Sequence, residues 1–299
     1  MRVFVTGATG HIGSVVVPEL LAAGHEVVGL ARSETAATAL KAIGAEAHLG
    51  DLDDLDGLRA AASAADGVIH LAFRHDLMLS GNQAGAIEDD LAVVRAFGEA
   101  LAGTDKPFVG TSGTGAPNVP GTVRTEDEVS TEGNRIEAEN TVIGFAERGI
   151  RSSVVRLPPF VHSTLDHHGF IPMLINIART TGVSGYLDGE NRKPAVHTLD
   201  AAHLYRVALE QAPAGTRLHG VGDEGVPFRQ LAETIGRNLG VPTKAIPADR
   251  AQDQFGAFAW LAAMDIPAAN ARTRRLVDWQ PVHPGLIADL DQGHYFTEA

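Results

Sequence analysis

The chain has 299 residues, 44% of them hydrophobic, with 33 glycines and a formal net charge of -13, enough for one large or two modest folding units with a substantial core. That acidity argues against sequence-independent binding to nucleic acid, which needs a basic footprint, and the absence of cysteine excludes disulfides, thiolate metal sites and cysteine nucleophiles. No apolar run reaches the roughly 18 residues of a membrane span, and the N-terminus enters a strand without a leader's charged, apolar and small-residue regions, so the expected setting is the cytoplasm, with no membrane partner.

In chain order, Val3, Phe4 and Val5 read as a buried strand, and Gly7, Gly10 and Gly13 punctuate a turn into an apolar helix from near Ile12. Strand, glycine turn and helix start in that order make a phosphate cradle. Glycine lets the backbone approach a pyrophosphate while free N–H groups and the positive helix end face the anion. The residues expected to hold the ligand are Gly7, Thr9, Gly10, His11, Ile12 and Gly13. Val15, Val16, Val17, Leu20 and Leu21 mark the helix as buried, and a second strand over 26–30 ends at Ala31-Arg32-Ser33. A helix over 34–43 and a strand over 45–49 lead to Gly50-Asp51-Leu52, where Asp51 is a candidate cap for the next helix beside Asp53 and Asp54. Residues 67–72 read as a fourth strand with His70 as a packed core residue and a small terminal residue, Ala72; Leu71 and Ala72 are expected to flank the ligand. A long helix over 84–102 and a fifth strand over 106–110 follow. This alternation calls for an α/β fold, a Rossmann-type doubly wound parallel sheet covered on both faces.

The Gly-x-x-Gly-x-x-Gly spacing, its Thr-Gly lead-in and the ATGHIG ending resemble the short-chain dehydrogenase/reductase superfamily, most of all its atypical and extended branches, which are epimerase/dehydratase-like. The resemblance spans nearly the whole chain and is tightest at residues 3–13, 156–162 and 196–202. It implies a nicotinamide cofactor. NAD-preferring relatives often carry Asp where Ala31 stands; its absence, with Arg32 and Ser33 following, implies NADP, with NAD as the alternative. Asp51 and Leu52 would cover the adenine, and Thr111 would line the cofactor. Pro158 and Phe160 would offer backbone to the nicotinamide. The long helix over 84–102 implies a homodimer.

Hydride addition to a carbonyl builds negative charge on oxygen, so a hydrogen-bond donor and an acid must meet there. In the superfamily a Ser or Thr beyond the fifth strand is the donor, a role open to Ser112 or Thr114. The Tyr-x-x-x-Lys dyad is missing: laid on the Ala-Glu stretch 137–139, Thr131 stands for Tyr and Arg135 for Lys, and none of Tyr186, Tyr205 and Tyr295 has a lysine four residues on. Arg135 either holds the nicotinamide ribose or a phosphate or is a solvated helix residue. Replacement proton donors are His162, which ends Arg156-Leu-Pro-Pro-Phe-Val-His162, the loop Asp166-His167-His168, and Tyr186. No metal is expected, because those loop histidines lack helical i, i+4 spacing.

The sixth strand is expected over 150–157, and Asp200 in Val-His197-Thr-Leu-Asp200-Ala-Ala is expected to cap the next helix, with His197 structural. Helix 229–239 belongs to a small C-terminal α/β lobe. The expected division is 1–158 plus about 188–212 for the dinucleotide and about 159–187 plus 213–299 for the substrate. Phe255, Phe258, Trp260, Met264 and Trp279 offer either a substrate wall or an ordinary core. The reading is an NADP-dependent oxidoreductase acting on a small carbonyl-type substrate. Alternatives are a non-catalytic NADP-binding sensor, a quinone-type reductase and a nucleotide-sugar epimerase or dehydratase relative.

Overall fold

The computed structural model describes residues 1–115, 121–131, 135–189 and 191–297. Apolar, β-branched runs produce the first strands, β1 (Arg2–Thr6), β2 (Glu26–Ala31), β3 (Glu46–Leu49) and β4 (Gly67–His70). Between them lie α1 (Gly13–Ala22), α2 (Glu34–Ala42) and α3 (Leu55–Ala64). A short α4 (His75–Leu79) precedes the long α5 (Gln83–Leu101), then β5 (Pro107–Gly113), α6 (Ile136–Gly144) and β6 (Arg151–Leu157). The chain continues through β7 (Phe160–His162), α7 (Phe170–Thr181), β8 (Ser184–Leu187), β9 (Arg192–His197), α8 (Thr198–Gln211) and β10 (Thr216–His219). It closes with β11 (Asp223–Pro227), α9 (Phe228–Leu239), β12 (Thr243–Ile246), α10 (Ala251–Phe255), α11 (Ala259–Ala263), α12 (Ala271–Leu276) and α13 (Leu286–Leu290).

Seven parallel strands form one sheet in the order β10-β6-β5-β4-β1-β2-β3. The strand order reverses at β1, so a crevice opens beyond the C-terminal ends of β1 and β4, where doubly wound sheets take their ligands. One face is buried by α1 and α8 around Val3, Val5, Val16, Leu20 and Leu204, the other by α3, α5 and α6 around Phe4, Leu58, Phe97 and Phe108. A third cluster, including Phe160, Ile171, Leu231 and Phe255, lies among β7, α7, α9 and α10. Here β11, β9 and β7 form a small sheet, and β8 pairs with β12.

The expectations for β10, β4 and β5 need correction. β10, placed above in the substrate lobe, is the edge strand of the large sheet, and Val277 and Trp279 also join the first core cluster. β4 stops at His70, leaving Leu71 and Ala72 in the turn, while β5 runs on to Gly113. α5 is tied to α3 by Arg59–Glu99 at 2.9 Å and to α6 by Arg95–Glu137 at 3.2 Å. None of the exposed large hydrophobic side chains among the described residues lies on α5. Among the described residues no helix is long and apolar enough to cross a membrane.

Candidate active site

The turn after β1 is built so that only glycine fits. Gly7 has φ of +68°, and a Cβ there would lie 2.8 Å from the Ala72 nitrogen; a Cβ on Gly13 would lie 2.0 Å from the Gly7 oxygen. Gly10 N–H closes the turn on Gly7 O at 3.0 Å. The N-cap of α1, Ile12, offers no side-chain acceptor. Among the described residues the backbone N–H groups of His11, Ile12 and Gly13 meet no partner. Orphan donors at a helix start, beside a turn with no room for side chains, fit a pyrophosphate. Thr9 is exposed at the tip of the turn.

At the end of β2, Arg32 is exposed and makes no hydrogen bond or ion pair among the described residues. Ser33 caps α2, its Oγ accepting from Ala36 N–H at 3.2 Å. Asp51 does not cap α3: Asp54 does, accepting from Gly57 N–H at 2.9 Å, whereas Asp51 accepts from Asp53 N–H and stays exposed. Leu52 is drawn into the second core cluster.

Strand alternation separates the hydroxyls of β5. Thr111 turns inward, bonding to His70 O at 2.8 Å and the Tyr205 hydroxyl at 2.9 Å. Ser112 faces the other way, and its hydroxyl favours the charged form of the Glu139 carboxylate. Burial opposes that carboxylate's charge, but Ser112, Arg217 and above all Arg156 outweigh it and hold Glu139 below the usual range. Thr114 is fully buried, with its Oγ1 unpartnered among the described residues. A buried hydroxyl without a partner calls for a specific explanation, such as an ordered water or a ligand.

α6 begins only at Ile136, with Arg135 as its N-cap; residues 132–134 lie outside the described residues. Exposed Thr131 is therefore not on α6 with Arg135. Arg135 is not a solvated residue: it grips buried Asp90 through Nη2 at 2.7 Å and Nε at 3.0 Å, and its guanidinium lies 4.6 Å from the Phe73 ring centre. Burial works against the Asp90 carboxylate, yet Arg135 and His70 outweigh it and hold it below its ordinary range.

The proton-donor candidates are dispersed. His162 is fully enclosed, on the same strand face as the core residue Phe160; its Nδ1 meets Asp289 Oδ2 at 2.9 Å, and its Nε2 has no partner among the described residues. Pro158 is buried directly after β6. Tyr186 lies on the β8/β12 pair beneath Arg229, whose guanidinium sits 5.5 Å from its ring centre. Asp166 accepts from Gly169 N–H at 2.8 Å and from the Tyr295 hydroxyl at 3.1 Å, and burial pushes it above the usual carboxylate range. His11 donates from Nε2 to Thr198 Oγ1 at 3.0 Å, and burial lowers its pKa despite nearby Asp166. The rings of His167 and His168 are 6.4 Å apart, and among the described residues no group of three His, Asp or Glu is placed to hold a metal.

Asp200 does not cap α8: His197 does, accepting from Leu199 N–H, while Asp200 clamps the N–H groups of Val282 and His283. Of the late aromatics, Phe255 and Trp279 are buried, while Phe170 packs edge-on against Phe258 at 5.9 Å and against half-exposed Trp260 at 6.2 Å. Sequence reasoning missed Asp90, Asp289 and the placement of Tyr295. No local spacing signals them, since their partners lie 45, 127 and 129 residues away.

Known proteins resemble this chain in both sequence and fold. The model of the NAD dependent epimerase/dehydratase family matches residues 3–219. An uncharacterized protein of Schizosaccharomyces pombe is 43% identical over 99% of this chain and 100% of its own length. A Stigmatella aurantiaca protein named 4-hydroxy-2-methyl-3-oxo-4-farnesyl-3,4-dihydroquinoline-1-oxide ketoreductase is 27% identical over 92% of this chain and 85% of its own. In fold, the chain is similar to dTDP-glucose 4,6-dehydratase of Streptomyces venezuelae, solved with NAD and TYD bound: TM-score 0.79, 18% identity, 99% of this chain and 97% of that one.

Proposed function

This chain belongs to the NAD-dependent epimerase/dehydratase family of the extended short-chain dehydrogenase/reductases, and from that premise we propose that it is an NADP-dependent reductase of small carbonyl compounds. The observation that carries the reading is the glycine cradle, with its three orphan N–H groups opening on the crevice between β1 and β4. NADP over NAD is supported by Arg32, an exposed guanidinium at the end of β2 without a partner among the described residues, where Ala31 offers no carboxylate to repel a 2'-phosphate. The ketoreductase named among the relatives supports a carbonyl as the acceptor.

The bound dinucleotide would supply hydride to the carbonyl carbon. The chain's part is to stabilise the charge that gathers on oxygen. Arg135 is a fixed cation near the turn after β4, since it lies over Phe73, and Thr114 holds an unspent hydroxyl beyond β5. Neither is a general acid at neutral pH, so the proton that completes the alcohol comes from water.

The test is anaerobic incubation of the chain with NADPH and a panel of ketones, enones and quinones, following nicotinamide absorbance. Consumption of NADPH with one class of acceptor is the expected result. NADPH binding with silence across the panel would instead point to a sensor.

A further inference from the structure

A buried chain of side chains runs from the cradle wall to Arg135. Thr6 closes β1, and its Oγ1 lies 2.6 Å from His70 Nδ1. The same oxygen accepts from the N–H of Ala72 at 3.3 Å, and Ala72 is the residue whose nitrogen abuts Gly7. His70 Nε2 reaches Asp90 Oδ1 at 3.2 Å. A carboxylate can only accept, so Nε2 carries the ring proton, and Nδ1 accepts from the Thr6 hydroxyl. Arg135 then takes both Asp90 oxygens, Nη2 to Oδ1 and Nε to Oδ2. Thr6 and His70 are wholly enclosed and Asp90 nearly so. Arg135 Nη1 meets no acceptor among the described residues.

We propose that Thr6, His70 and Asp90 form a positioning relay that fixes the Arg135 guanidinium at the crevice, with Nη1 presented to the oxygen of the carbonyl substrate. The proposal rests on the reductase reading. A guanidinium held at two nitrogens by one carboxylate cannot swing, because its fork is planar and rigid. A cation set in place beforehand stabilises developing charge without reorganising at the moment of reaction. Asp90 is itself held by His70, and His70 by Thr6, so the cation's position is referred back to the wall of the cradle. Filling the cradle therefore reaches Arg135 through three hydrogen bonds. A lysine at residue 135 would carry the charge but could not be gripped at two points.

The experiment compares the full chain with Asp90→Asn, Arg135→Gly and the double variant. NADPH fluorescence reads cofactor binding, the best acceptor from the panel reads kcat and KM, and proton–nitrogen spectra read the His70 imidazole. Asp90→Asn is expected to keep NADPH affinity and KM while kcat falls roughly 100-fold, the scale of removing a preorganised charge donor. Added guanidinium ion is expected to restore turnover to Arg135→Gly but not to the double variant, which lacks the carboxylate that seats it. The His70 Nε2–H resonance is expected to move when NADPH is added to the wild type and to be displaced in Asp90→Asn. His70→Gln, which keeps a donor toward Asp90, is the second variant and is expected to lower kcat by less than Asp90→Asn. Wild-type kcat in Asp90→Asn, or equal guanidinium rescue of the single and double variants, overturns the proposal and leaves the reductase reading standing. A wild type that binds NADPH but reduces nothing overturns both.

Discussion

Arg156 and Glu139, both withdrawn from solvent, are joined by hydrogen bonds of 2.6 Å from Nη2 to Oε1 and 3.1 Å from Nε to Oε2, which bolt α6 to β6. Arg217 adds a third donor to the same carboxylate at 2.8 Å. Removing one partner leaves a charge buried without compensation, which costs far more than the pair contributes.

Glu139→Gln is therefore expected to lower stability by about 3–5 kcal/mol, read as the shift in a urea midpoint. Because Glu139 titrates below its ordinary value of 4.5, its contribution is complete above pH 4.5 and lost as pH falls through the depressed folded value. Wild type should lose stability on that acid limb, and Glu139→Gln should lose less. An unchanged midpoint in the variant would refute this account of the pair.

His219 gives an earlier acid limb. Its Nδ1 faces Ala269 O at 2.8 Å and its Nε2 faces Arg156 Nη1 at 3.3 Å, and burial pushes its pKa from 6.5 down to about 4. A neutral histidine accepts from the arginine and donates to the carbonyl, so the unfolded chain binds the proton first. Stability should decline between pH 6.5 and 4, by about 3 kcal/mol in all. His219→Gln, which keeps a donor and an acceptor, should flatten that slope. An equal slope in both proteins would count against it.

Gly7→Ala puts a Cβ 2.8 Å from the Ala72 nitrogen at a φ of +68°. The strain should cost about 1–3 kcal/mol, and the displaced turn should abolish NADPH binding measured by fluorescence. Retained affinity would mean that the cradle is not the phosphate site.

Arg32 carries the cofactor preference. Arg32→Ala should weaken NADPH binding about tenfold or more while leaving NADH binding unchanged, the pattern of a lost phosphate contact. Equal losses for the two dinucleotides would overturn the NADP assignment.

Thr114→Val removes a buried hydroxyl that has no partner among the described residues. Its melting temperature should equal or exceed that of the wild type, because no bond is broken and an unsatisfied group is deleted. Its kcat should fall if the hydroxyl serves the substrate oxygen; an unaltered kcat would remove Thr114 from the site.

Much of the doubly wound sheet was legible from local pattern, because each β-α unit carries its own signals: an apolar run, a glycine turn and an amphipathic helix. The cradle was legible for the same reason, since Gly7, Gly10 and Gly13 act on one another within a single turn. Arg32 could be placed from sequence because it ends a strand. Helix caps were less secure, since Asp51, Asp53 and Asp54 compete within four residues and only backbone geometry selects Asp54.

The sequence by itself determined where strands, turns and helices alternate, because period, glycine and apolar runs act over a few residues. It also determined that the usual tyrosine and lysine are missing. Only the tertiary structure decided what each polar side chain faces. It gave Ser112 to Glu139, enclosed His162 with Asp289, brought Tyr295 to Asp166 and tied Arg135 to Asp90. The physical reason is that a buried charge or hydroxyl must find its partner wherever packing brings one, and packing here joins residues far apart in the chain.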